Sequence, residues 1–239
     1  GIKAAPDVKL DYTFADTYVA YLHATGGTRL NDFRQQNEES PYWGVINQMR
    51  TSYTPADLQV GFKASPLPGL GFHLFGGYRV TKDEIFHLPG ITDTDFPYCY
   101  SLLTQEKAKV GYGGIKAAYG YKDIFDFSVG GTYYGWNVKD EAKVLLYLKP
   151  EFVLDASARA KVYDEFWISA AYRYEGRVKA GELEKADAIN NLSLSAGYEF
   201  FNSLNVFVRF NNLLNQDYIT EAGYPVQGFN AMAGVSFRF

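Results

Sequence analysis

Histidines are the residues of this chain with the readiest metal chemistry, and their spacing does not assemble them. His23 and His73 fall in segments that alternate like strands and His87 in a long polar stretch. None has a partner at i+2 or i+4, the spacings that set two imidazoles on one side of a strand or helix. Thr92-Asp93-Thr94-Asp95 brings two carboxylates together without the glycine and later glutamate of a calcium loop, so it reads as a solvated loop. Glu151, Asp155, Arg159, Arg173 and Glu175 have the types of an acid–base set. With no Ser/His/Asp order and no nucleophile elbow, they read as the mixed charge of a wet wall. The glycine pairs Gly76-Gly77, Gly113-Gly114 and Gly130-Gly131 sit inside strand-like segments and form no phosphate loop. No enzyme, metal or cofactor is expected. The candidates left are ligand contacts: Arg79, Arg159 and Arg173 on strands, and the loop aromatics Trp43, Phe86, Phe96, Tyr98, Tyr100 and Trp136. Such aromatics stack on an apolar or ring-shaped ligand, or anchor loops on one another and at an interface; the second reading is favoured.

The segments that carry these residues alternate with period 2. Over 152–162, Phe152, Leu154, Ala156, Ala158, Ala160 and Val162 oppose Val153, Asp155, Ser157, Arg159 and Lys161. Over 166–175, Phe166, Ile168, Ala170, Tyr172 and Tyr174 oppose Trp167, Ser169, Ala171, Arg173 and Glu175. The stretch 70–80 sorts in the same way, with His73 and Arg79 on its polar side. A charged face repeated over many strands cannot be a dry core, because each unpaired buried charge costs several kcal/mol. It can line a water-filled lumen. The alternation slips only in 107–121, near Gly113-Gly114, where glycines permit a bulge or a close strand approach.

Tight turns and long polar connections alternate along the chain. Phe14-Ala15-Asp16-Thr17, Tyr121-Lys122-Asp123-Ile124, Tyr163-Asp164-Glu165-Phe166 and Phe201-Asn202-Ser203-Leu204 each set an aromatic before turn residues, and Ser65-Pro66-Leu67-Pro68-Gly69-Leu70 does the same with prolines. Between them lie the expected long loops 25–57, 83–105, 138–144, 177–188 and 211–228, the first with a short helix over 30–39. This asymmetry is that of an outer-membrane barrel, with short periplasmic turns and long extracellular loops.

Bulk properties agree. The 239 residues are 47% hydrophobic, with 20 Tyr, 18 Phe, 23 Gly and a net charge of -4, at a mean hydropathy of only -0.22. Strands apolar on one face give this combination. No apolar run is long enough for a transmembrane helix, and no basic patch suits a nucleic acid. The chain starts at Gly1 without a basic-then-apolar leader, so it is read as a mature chain or a fragment. The lone Cys99 has no disulfide partner and is read as an incidental thiol.

The C-terminal stretch adds a family resemblance. Asn211-Asn212-Leu213-Leu214-Asn215-Gln216-Asp217-Tyr218, then Gly223-Tyr224-Pro225 and Gly228, resembles the closing signature of TonB-dependent outer-membrane receptors, with Leu214 where Phe is commoner. The last strand, with Gly234, Phe237 and Phe239, resembles the signal read by the barrel assembly machinery, with Met232 where a polar residue is preferred. The resemblance implies outer-membrane lipid, that assembly machinery and TonB as partners, TonB through a segment outside this chain. It also implies energy-coupled uptake of a scarce nutrient such as a siderophore, vitamin or glycan. The expected fold is an all-β antiparallel transmembrane barrel of about eleven strands. A plugged transporter barrel has about twenty-two strands, so residues 1–239 are expected to be its C-terminal half, with plug and N-terminal barrel half elsewhere. The alternatives are a structural or accessory barrel of an envelope complex and a complete small porin-like barrel.

Overall fold

The computed structural model describes residues 3–39, 49–91, 99–201, 203–221 and 224–238. Its first five hairpin strands are β1 (Asp7–Phe14), β2 (Tyr18–Arg29), β3 (Ser52–Leu67), β4 (Leu70–Ile91) and β5 (Cys99–Tyr121). Then follow β6 (Phe125–Asn137), β7 (Pro150–Lys161), β8 (Phe166–Arg177), β9 (Ile189–Phe200) and β10 (Leu204–Asn211). The two-stranded ribbon β11 (Ile219–Glu221) and β12 (Tyr224–Pro225) precedes the last strand, β13 (Asn230–Phe237). Among the described residues, β1 to β10 and β13 form one 11-stranded antiparallel sheet in chain order, with β1 and β13 as its two edges.

The register turns period-2 sequence into two unlike walls. Thr13, Val19, Lys63, His73, Lys116, Gly130, Asp155, Arg173 and Asn191 follow one another across nine strands. One residue along, the row is Tyr12, Ala20, Phe62, Leu74, Ile115, Gly131, Leu154, Tyr174 and Asn190. Leu10, Leu58, Val60, Leu74, Ile115, Leu194 and Val208 on the second wall are exposed. Against water that area would cost about 25 cal/mol per Å², and a contiguous apolar surface of this size calls for a nonaqueous neighbour. Aromatics bracket it. Near the tight turns Phe14, Tyr18 and Phe62 lie 5.5–6.0 Å apart and Tyr198 meets Phe200 at 4.6 Å. Toward the long loops Phe152 meets Tyr174 at 6.2 Å and Phe210 meets Phe229 at 6.4 Å.

The tight turns form where the sequence placed them. Consecutive left-handed residues Ala15 and Asp16, and single ones at Lys122 and Phe201, reverse the chain. The short helix α1 (Phe33–Glu39) also forms inside its expected stretch.

One expectation changes. The stretch 83–105 is not all loop: β4 and β5 stay paired out to Ile91 and Cys99, so His87 belongs to a strand. A register shift between Thr81 and Glu84, with Asp83 left-handed, resets the phase of the alternation and disguises the strand beyond it. Of the bulge and the close approach that Gly113-Gly114 permit, the structure has the second, since β5 pairs without interruption with β4 and β6 there. The glycine serves close approach instead: a Cβ on Gly114 would stand 2.8 Å from the Phe75 ring and 2.5 Å from the Gly131 carbonyl oxygen.

A small apolar core caps the long-loop end of the polar wall. Phe86 of β4 and Ala108 of β5 pack with Val138, with Ala142, Leu145 and Leu146 of the 3₁₀ helix Asp140–Leu146, and with Ala180. At its exposed edge Lys143 bonds Asp140 at 2.7 Å and holds that carboxyl below its usual range.

Candidate functional site: the polar wall

The strand ladders bring onto one wall side chains that are far apart in sequence. On the β1–β6 half, Tyr21 from β2 hydrogen-bonds the His73 ring from β4 at 2.8 Å, and the His23 ring lies 4.6 Å from that of Tyr21. His23 in turn faces Asp11 at 3.1 Å. The two histidines therefore bracket a tyrosine, a juxtaposition that needs the β2–β4 register and has no local sequence signal. Tyr112 donates to Asp57 at 3.0 Å, and Asp57 stands opposite Arg79 in the ladder. Arg79 Nε is buried there without a partner. Among the described residues no cluster of three or more His, Cys, Asp or Glu could hold a metal ion.

Bulky rings on this wall fill the space beside glycines of the neighbouring strand. Tyr21 covers Gly61, Tyr112 covers Gly77, and Trp167 covers Gly197. Cations then cover rings: Lys63 lies 5.4 Å from the Tyr21 centroid, Lys116 lies 5.6 Å from Phe75, and Arg159 lies 4.6 Å from Trp167.

On the β7–β9 half the charges form a ladder. Arg173 donates to Asp155 at 2.8 Å and to Glu175 at 2.6 Å, and Arg177 meets Glu175 at 2.6 Å. Of the acid–base set, the fold thus joins Asp155, Arg173 and Glu175. Glu151 pairs with Lys185 at 3.3 Å instead, and Arg159 stands apart on Trp167. Beside the ladder, recesses of about 430 and 240 Å³ share a floor of Ser128, Ser157 and Ala171, where the two serines bond at 2.8 Å.

Arg177 is only 3% exposed and ties separate connections together. Besides Glu175 it reaches the Leu148 carbonyl at 2.5 Å and the Ile219 carbonyl at 3.0 Å. Trp136 donates its indole N–H to the Pro150 carbonyl at 2.8 Å and packs on the apolar cap, an anchoring geometry. Phe96 and Tyr98 lie outside the described residues, as do Trp43 and Phe239.

The C-terminal motif folds as a clamp on β9. Asn212, left-handed and buried, accepts from the Gln216 N–H at 3.1 Å and donates to the Gln216 carbonyl at 3.0 Å. Gln216 then bonds the Asn190 N–H and the Ala188 carbonyl, and Asn191 donates to the Tyr218 hydroxyl at 3.1 Å. On the last strand Gly234 faces the ring of Phe207, which occupies the space a side chain there would need.

This combination of one polar wall, one apolar wall banded by aromatics, tight turns at one end and a capped loop cluster at the other can be compared with known folds. FpvA of Pseudomonas aeruginosa, solved with heterologous pyoverdines, superposes with a TM-score of 0.69 at 18% identity over 98% of this chain and 32% of its own. The fold is that of a TonB-dependent receptor barrel. The receptor-barrel likeness extends to the ferric-catecholate import receptor Fiu of Escherichia coli K12, with TM-score 0.68, 15% identity, and 97% and 34% of the two chains covered. It extends also to the copper transporter OprC, with TM-score 0.67, 16% identity, and 96% and 39% covered. The chain thus spans 32–39% of the length of these receptors. No protein-family model matches it, and no curated protein does.

Proposed function

We propose that this chain is the C-terminal barrel portion of an outer-membrane receptor that takes up a scarce nutrient in an energy-coupled, TonB-dependent way. The observation that carries the reading is the continuous polar wall backed by an exposed apolar wall over eleven strands. The apolar wall faces outer-membrane lipid, the tight turns face the periplasm, and the long-loop end faces the exterior. Strand parity supports a larger barrel. In an antiparallel sheet of eleven strands the edges β1 and β13 run in the same direction, so antiparallel closure requires an odd number of further strands. Those come from an N-terminal barrel half, and a plug fills the wide lumen as in other barrels of that size. TonB acts on a segment outside these residues, and the barrel assembly machinery reads the last strand.

Arg79, Arg159 and Arg173 then line the lumen, and the nutrient is captured by the loop end. The test is uptake by cells carrying the full-length protein, supplied with trace iron-loaded hydroxamate and catecholate siderophores, cobalamin or a labelled oligosaccharide. One of these should accumulate against its gradient, and accumulation should stop when TonB is removed. Flux that is linear in concentration and indifferent to TonB would make the protein a passive pore.

A further inference from the structure

Toward the long loops the apolar wall ends in a group of lysines. Lys109 of β5 stands opposite Val80 on one side and Asn137 on the other, and Lys107 lies two positions further along the same face. Lys82 pairs with Tyr53 across the β3–β4 ladder, and the ammonium groups of Lys82 and Lys3 lie 5.8 and 5.2 Å from the Tyr53 ring centroid. A ring face steadies a cation without neutralising it. Among the described residues these four lysines form no ion pair, because the carboxylates beside them are engaged elsewhere. Asp83 bonds Arg50 at 3.3 Å, Glu84 faces Arg29 at 3.9 Å and Glu106 faces Lys139 at 3.5 Å. Next to the lysines, on the side of the tight turns, the same wall is bare. A Cβ on Gly76, Gly111, Gly113 or Gly135 would find its nearest neighbour at 3.5–3.9 Å, an ordinary contact, and none of the four is left-handed. Unlike Gly61 or Gly114, these glycines make room for nothing within the chain. The exposed Tyr78 and Tyr133, opposite Gly111 and Gly113, flank the bare patch.

We infer that this patch seats a membrane lipid whose headgroup carries more than one phosphate charge, with phosphate oxygens on Lys82, Lys107 and Lys109 and an acyl chain over the glycines. The inference rests on the receptor reading above for the side of the membrane, which puts the long-loop end at the outer leaflet. Charge chooses the headgroup. Unpaired ammonium groups gain most from an anionic acceptor, and a zwitterionic lipid brings an ammonium of its own that competes for the phosphate. Position chooses a lipid over a free anion. The lysines border a wall whose exposed Leu58, Leu74 and Ile115 meet hydrocarbon, and lysine stems lie along apolar surface while their charged heads reach the polar boundary. An anion tethered to acyl chains satisfies both at once. The bare glycines let such a chain approach the strand backbone closely, where it gains the most dispersion contacts.

Native mass spectrometry of the full-length protein in detergent tests this, with titration by diphosphoryl lipid A and by the same lipid stripped of its phosphates. The diphosphoryl form should bind at least tenfold more tightly. Lys82→Gln/Lys107→Gln/Lys109→Gln should lose that preference with heat-resistant folding unchanged, while Lys122→Gln, at a tight turn, should keep it. Gly111→Leu/Gly135→Leu should weaken both forms, and unchanged binding in that variant would overturn the acyl seat. Equal binding of the two lipids by the unaltered protein overturns the inference whether or not the lysine variant folds. So does a preference that survives in the lysine variant, or an affinity for inorganic pyrophosphate equal to that for the lipid, which would give the lysines to a free anion. A protein that passes the uptake test yet shows no phosphate preference loses this inference alone. A passive pore that shows the preference loses the transport reading and keeps this contact.

Discussion

Gly234 carries two explanations that make different predictions. The resemblance assigns it to an assembly signal, and the structure gives it a packing reason, because the Phe207 ring occupies the place of its missing side chain. If packing dominates, Gly234→Val should lower the yield of folded barrel, and adding Phe207→Ala should restore most of it. If the glycine is read as a signal, the second change will not help; heat-modifiable mobility in gels separates the two outcomes. At Arg177 the expectation is thermodynamic. Its partner Glu175 is also buried, and removing one member of a buried pair costs about 3–5 kcal/mol. Arg177→Met should lower the urea midpoint and open 140–148 and 178–188 to protease. Arg177→Met/Glu175→Leu should recover part of the loss. Neither role is visible in the sequence, where Arg177 is one more charge in a polar stretch and its acceptors Leu148 and Ile219 lie 29 and 42 positions away.

Among the elements, β7 and β8 give the cleanest test of the two walls. Ala158 and Ala170 face each other on the apolar wall, while Arg159 and Ser169 do so on the polar one. Ala170→Arg should cost about 2–4 kcal/mol, the penalty for a cation on the lipid face at mid-bilayer. Ser169→Arg should be close to neutral. Urea titration of the refolded barrel in lipid checks both, and equal penalties would mean that the walls are exchanged. These strands were legible because unbroken period-2 alternation survives any register. What escaped is β4 and β5 beyond the membrane. There the shift after Thr81 inverts the phase, so that Glu84, Phe86 and Thr104 share a side that no single alternation predicts. The apolar cap escaped for another reason: Phe86 comes from β4, Val138 and Leu145 from the β6–β7 connection and Ala180 from the β8–β9 connection, and each alone reads as a stray hydrophobe in a polar stretch. For the candidate site, the charged lining was readable strand by strand. The Tyr21–His73 bond and the Asp155–Arg173–Glu175 ladder had to wait for the cross-strand pairing.

For the whole molecule, function depends on which end of the sheet faces which compartment. On the receptor reading proposed above, the capped loop end meets the nutrient and the tight-turn end faces the periplasm. The long ladder between Thr81 and Ile91, paired with β5, carries the wall well past the aromatic band, as a structure reaching away from the membrane would. The most direct measurement is labelling of intact cells that carry the full-length protein with Cys99 replaced by Ser, using an outer-membrane-impermeant maleimide. Single cysteines at Asp140 and Glu184 should react at once, whereas those at Lys122 and Asp164 should react only after the outer membrane is permeabilised. Equal labelling at both ends, or the reverse order, would contradict a sheet that spans the outer membrane with its long loops outside.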